Sequence, residues 1–154
     1  MINTQLRKKY VPNLQKLQGI CSRNYGLLIR LLPIEYESEH CWDIEINESL
    51  QFHLQVESKT PYTETMRITQ RNLVVPKYMA TEIEFRVYHD AQMVEVISFQ
   101  KQTRFRQNYA YPNPLLRQRD EKLQVNALLK DWLNLVSHQQ EKLTGESRLL
   151  TPAI

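Results

Sequence analysis

Glycine is scarce, with three in 154 residues, at positions 19, 26 and 145. Loops that cradle phosphate need it, and the chain has no Walker loop, no dinucleotide-binding glycine fingerprint and no GxSxG elbow. Cysteine is rarer still. Cys21 and Cys41 fall in segments that read as a helix and a strand, without the CxxC spacing of redox or zinc sites. Both are expected as reduced, packed thiols, with a disulfide between them as the alternative. No window reaches the roughly 18 apolar residues that a membrane span requires, and the basic start has no apolar run of signal-peptide length behind it. The expectation is a cytoplasmic protein without a membrane role. His40, His53, His89 and His138 are isolated, and His40-Cys41 with Asp43 lacks a second ligand pair, so neither a metal nor a cofactor is expected.

What remains has the composition of an ordinary globular domain. Apolar residues make up 42% and charged residues 24%, which argues against disorder and coiled coil. The net charge of +3 is unevenly spread. Residues 1–30 hold six basic side chains and no acid, residues 31–64 hold eight acids and one lysine, and residues 101–122 return to six basic against two acidic. Such asymmetry either marks a surface for anionic partners or is neutralised when the two ends of the domain meet.

Periodicity supplies the architecture. Leu14, Leu17, Cys21, Leu28, Leu31 and Leu32 recur at helical spacing between Pro12 and Pro33, predicting a helix over 12–32. From residue 41 the period becomes two. Trp42, Ile44 and Ile46, then Leu50, Phe52, Leu54 and Val56, alternate with polar residues across the turn Asn47-Glu48-Ser49. Met66 and Ile68 mark a third strand, Ile83, Phe85 and Val87 a fourth, and Val94, Val96 and Ser98 a fifth. The hairpin between the last two is expected to have a four-residue loop, 90–93, with a two-residue loop at 90 and 91 as the alternative. Val125, Leu128, Leu129, Trp132, Leu135 and Val136 form a helical stripe over about 120–138. The fold class is therefore α+β: an antiparallel meander of five or six strands packed against an N-terminal and a C-terminal helix, as one domain over 1–142. Residues 143–154 read as a polar, mobile tail.

Three groups of residues resemble the YqiB-like family of bacterial proteins. The first is Arg86-Val87-Tyr88-His89-Asp90-Ala91 with Glu95-Val96. The second is Tyr109-Ala110-Tyr111-Pro112-Asn113, followed by Gln118-Arg119-Asp120-Glu121-Lys122 with Asn126, Asp131, Trp132 and Leu133. The third is the helix from Cys21 through Asn24-Tyr25 to Leu31-Leu32-Pro33. The resemblance implies a bacterial cytoplasmic protein and brings no established activity, cofactor or catalytic residue with it.

Candidate functional residues fall in two places. His89 beside Asp90, with Glu95 nearby, has the makings of a general base with an orienting acid. Alternatively, His89 ends a strand, Asp90 opens the turn, and Glu95 pairs with Arg86 or Tyr88. No serine or cysteine nucleophile accompanies them. Asp120 and Glu121 suit the first turn of a helix, whereas Arg119 calls for an acidic partner or a ligand. Arg104, Arg106, Arg117 and Arg119, interleaved with Phe105, Tyr109 and Tyr111 and followed by Asn113, form the mixture that stacks on bases and contacts phosphates; a sixth edge strand is the competing reading. The functional expectation is a non-enzymatic binding or adaptor module for a protein, RNA or other anionic partner. The alternative is a small nucleotide- or small-molecule-processing enzyme using His89, Asp90, Glu95 and Arg119.

Overall fold

The computed structural model describes residues 13–76, 79–101 and 121–151. Helix α1 (Leu14–Leu31) begins where the Asn13 side chain accepts the Lys16 N–H at 3.0 Å, satisfying one of the donors a helix start leaves free. It ends at Leu32, whose backbone is extended, the conformation favoured for a residue preceding proline. Five strands follow: β1 (Cys41–Glu45), β2 (Leu50–Lys59), β3 (Thr63–Asn72), β4 (Thr81–Tyr88) and β5 (Met93–Lys101). Helix α2 (Glu121–Thr144) completes the described elements. The strands pair antiparallel in chain order, so the protein is the expected α+β meander with an N-terminal and a C-terminal helix.

Alternation explains the layers. Trp42 and Ile44, Phe52, Leu54 and Val56, Met66 and Ile68, Ile83, Phe85 and Val87, and Val94 and Val96 are all buried. They form one core with Leu28 and Leu31 of α1 and Leu129, Trp132 and Leu133 of α2. The Trp132 ring packs on Phe52 with centroids 5.3 Å apart.

Several local expectations are corrected. The buried stripe of α2 runs through Val125, Leu129, Trp132, Leu133 and Val136, while Leu128 is only partly buried and Leu135 is exposed. Cys41 is exposed, since it stands at the outward parity of β1; Cys21 is buried, and both thiols are free. The β4–β5 loop is 89–92 rather than 90–93, closed by Gln92 at φ 55°, and the Val87↔Val94 register is that of the tighter alternative. Either register keeps the apolar faces together, so the pattern could not choose between them. Beyond Val96 the register slips, leaving Ile97 as an extra residue. Ser98 therefore turns outward to Glu84, and Phe99 turns in toward the core.

The segment after Gly145 also differs from the expected polar tail. Leu149 is 4% exposed, its N–H donates to Leu31 O at 2.7 Å, and the Trp42 indole donates to Leu150 O at 2.6 Å. The pair Leu149-Leu150 in a short segment gives no period, yet burying the first of them is enough to seat this stretch of chain against α1 and β1.

Asn126 ties α2 to β5, the last of the described strands. Its Oδ1 accepts the Val96 N–H at 3.0 Å, its Nδ2 donates to Lys122 O at 2.8 Å, and its own carbonyl accepts from Asn24 Nδ2 at 3.0 Å. The helix pair is thus tied to a backbone donor at the end of the described sheet.

Candidate functional site

Glu64 shares the inward parity of Met66 and Ile68, so the start of β3 carries a carboxylate into the core face, where it is 1% exposed. A buried charge is costly unless it is paired and hydrogen-bonded, and its partners converge from separate parts of the chain. The Tyr36 hydroxyl, on the loop after α1, donates to the two carboxylate oxygens at 2.8 and 2.7 Å. His89, on the β4–β5 loop, brings Nε2 to 3.1 Å from Glu64 Oε2. A carboxylate can only accept, so Nε2 carries the proton in neutral His89, and Nδ1 accepts from the Tyr25 hydroxyl on α1 at 3.1 Å.

Lys59 completes the cluster because of an irregularity in β2. Val56 pairs with Met66 but Ser58 pairs with Thr65, leaving Glu57 as a β-bulge. The extra residue reverses the parity of everything after it. Lys59, which simple alternation would send outward, faces Glu64 across the ladder, with Nζ 4.0 Å from Oε1. The same ammonium donates to Tyr36 O at 2.8 Å and lies 4.1 Å from the centre of the Tyr36 ring.

Tyr36, Lys59, Glu64 and His89 line an open cleft of about 410 Å³ at the end of the sheet. Ile29, Leu32, Pro33, Ile34 and Pro61 supply apolar walls, and Arg148 reaches it from the segment after α2. Burial, the hydrogen bond to Glu64 and the negative charge of that carboxylate push the Tyr36 phenol far above its ordinary range, so it remains a donor. The arrangement can hold a small molecule, offering cations at the rim, apolar walls and a polar floor.

Of the residues singled out from sequence, His89 is in this cluster. Asp90 is exposed in the turn, its carboxylate accepting the Ala91 N–H at 2.9 Å. Glu95 has the opposite parity from Val94 and Val96, stands across from Arg86 in the ladder and forms an ion pair with Lys122. Arg86 and Tyr88 share the outward parity of Glu84, away from His89. Glu121 lies in the first turn of α2. Arg104, Arg106, Tyr109, Tyr111, Asn113, Arg117, Arg119 and Asp120 lie outside the described residues. The acid beside His89 is therefore Glu64, which the sequence reading missed together with Tyr25, Tyr36, Lys59 and Arg148. A signal for Glu64 existed, since it falls in phase with Met66 and Ile68. Among the described residues, no group of three His, Cys, Asp or Glu side chains is placed to hold a metal, and no helix is long and apolar enough to cross a membrane.

Fold and site together define an α+β protein with one antiparallel sheet, helices on one face and a carboxylate-floored cleft at the sheet's end. The chain belongs to the family described as protein of unknown function (DUF1249), which matches residues 27–142. That span contains Tyr36, Lys59, Glu64 and His89 but stops short of Arg148. The chain is 35% identical over 126 residues to the uncharacterized protein YqiB of Escherichia coli strain K12, a match covering 82% of this chain and 89% of the relative. The YqiB proteins of Escherichia coli strains CFT073 and O157:H7 match to the same extent. No solved structure matches the chain.

Proposed function

We propose that this bacterial protein is a cytoplasmic, non-enzymatic binding module whose ligand is a small molecule held in the cleft at the end of the sheet. The observation that carries this reading is Glu64: a carboxylate 1% exposed, at the floor of an open cleft, held by Tyr36 and His89 from different elements. Folding gains little from a buried ionised group compared with a well-packed apolar residue, so such a group at a cleft suggests recognition. Screening small metabolites by thermal shift is expected to give a stabilising compound whose effect disappears in Glu64→Gln and His89→Gln while both variants stay folded. A hit whose shift survives both substitutions would place the binding elsewhere.

One feature favours an acid–base enzyme as the second reading. Tyr25, His89 and Glu64 stand in the order hydroxyl, imidazole, carboxylate, with both separations at 3.1 Å. Against it, the Tyr25 hydroxyl that such a relay would activate is not among the groups lining the cleft. Turnover of a bound compound that is lost in Tyr25→Phe, with binding retained, would decide for the enzyme.

A further inference from the structure

We infer that the cleft's ligand is a small organic anion, its acidic group met by Lys59 and Arg148 and its apolar body lying against Ile29, Leu32, Ile34 and Pro61. The inference rests on the binding reading above and adds the chemical class.

It follows from how the two cations reach the cleft. Lys59 points inward because the bulge at Glu57 reverses the strand's parity. Its ammonium has three donors, of which the structure uses one on Tyr36 O, while Glu64 at 4.0 Å is beyond hydrogen-bonding distance. Arg148 arrives by a separate device. Its carbonyl accepts from Gln140 at 3.4 Å, the next residue donates to Leu31 O, and the one after accepts from Trp42, so the backbone on either side is pinned. The Arg148 side chain is nevertheless exposed, and among the described residues no acid lies within ion-pair distance of it. Two irregularities in unrelated parts of the chain thus deliver positive charge to one cleft.

The one acid lining that cleft among the described residues, by contrast, is internally satisfied. Glu64 already accepts from Tyr36 and His89, and Lys59 lies beside it, so its charge is compensated before any ligand arrives. Among the described residues the lining sets Lys59 and Arg148 against Glu64, two positive groups to one negative without counting His89, and an anion is the complementary guest. A carboxylate and a phosphate monoester share this chemistry.

Matched six-carbon probes separate charge from apolar bulk. Hexanoate, hexyl phosphate, hexanol and hexylamine are titrated into the full chain, reading the backbone amides of Ile34, Tyr36, Glu64 and His89 by NMR. Hexanoate or hexyl phosphate should perturb them saturably, at least about tenfold more tightly than the alcohol or the amine, and the tighter of the two identifies the acid. Arg148→Glu, at an exposed position, should weaken the anion about tenfold with a melting temperature close to that of the parent; Lys59→Gln should weaken it as much while remaining folded, with a lowered melting temperature because it removes the cation beside Glu64. Equal affinity for acid, alcohol and amine, or anion affinity unchanged in both variants, would overturn the anion assignment and leave the cleft a binding site. No saturable perturbation by any probe would overturn the anion assignment, and the binding reading would then stand or fall on the metabolite screen.

Discussion

Replacing Tyr36 by Phe removes one oxygen and leaves the rest of the side chain in place. The ring keeps its edge contact with Trp42, centroids 6.1 Å apart, and its position beneath the Lys59 ammonium. What disappears is the donor that bonds both oxygens of Glu64. A hydrogen bond to a charged group contributes roughly 1.5–3 kcal/mol, and a buried acceptor without its donor keeps its desolvation cost, so the substitution should cost about 2–3 kcal/mol. For a chain of this length that corresponds to a fall in Tm of about 4–12 °C. Urea melts at pH 7 followed by tryptophan fluorescence give the free energy, and calorimetry gives the midpoint. A second background sharpens the assignment. In Glu64→Leu there is no carboxylate to orphan, so adding Tyr36→Phe should change stability by less than about 0.5 kcal/mol. Equal losses in the two backgrounds, or a loss below about 0.5 kcal/mol in the parent, would show that Tyr36 is not what holds Glu64 in the core.

Trp132→Ala should cost about 3–5 kcal/mol in the same denaturant assay, because the ring fills the space over Phe52; a loss below about 1 kcal/mol would reject its place in the core. Leu149→Ala should cost about 2–4 kcal/mol, and an unchanged melt would mean that the segment after Gly145 contributes nothing to stability. The two thiols should behave oppositely. Cys41 is exposed, while Cys21 is pushed up to about 11 by burial, with Glu95 adding to the shift and Lys122 offsetting part of it. Ellman's reagent at pH 8 should therefore label Cys41 quickly and Cys21 only on unfolding, and two fast equivalents would contradict the structure. Because an unfolded thiol releases its proton near 9, the stability Cys21 contributes is intact below that pH and is lost as pH rises toward about 11. Comparing the parent with Cys21→Ala across that window measures it; a difference between them that stays constant with pH would refute the linkage.

How far the sequence discloses this molecule depends on whether a feature obeys a period. The strands and helices do: Ile83, Phe85 and Val87, or Leu129, Trp132 and Val136, announce a buried face because each is placed by the same repeat as its neighbours. Glu64 obeys a period too, and the inward phase of a carboxylate beside Met66 and Ile68 is legible, although it reads as an error in the pattern until partners for the charge are known. The rest of the cleft breaks periodicity. Tyr36 stands in an aperiodic loop between α1 and β1, and Arg148 beyond the last helical stripe, where pinning by Leu31, Trp42 and Gln140 involves residues up to 117 positions away, from Leu31 to Arg148.

Lys59 shows why such residues elude a reading from sequence. Counting by twos from Leu54 and Val56 puts Ser58 inward and Lys59 in solvent, and nothing in the composition of Glu57 betrays the inserted residue. A bulge is decided by what the paired strand demands, here that Lys59 lie across from Glu64. Taken out of that ladder, the same side chain would leave the buried carboxylate with Tyr36 and His89 as its partners and without its paired ammonium. The register slip in β2 and the acid at the start of β3 are therefore one feature seen from two strands, and each makes physical sense only with the other in place.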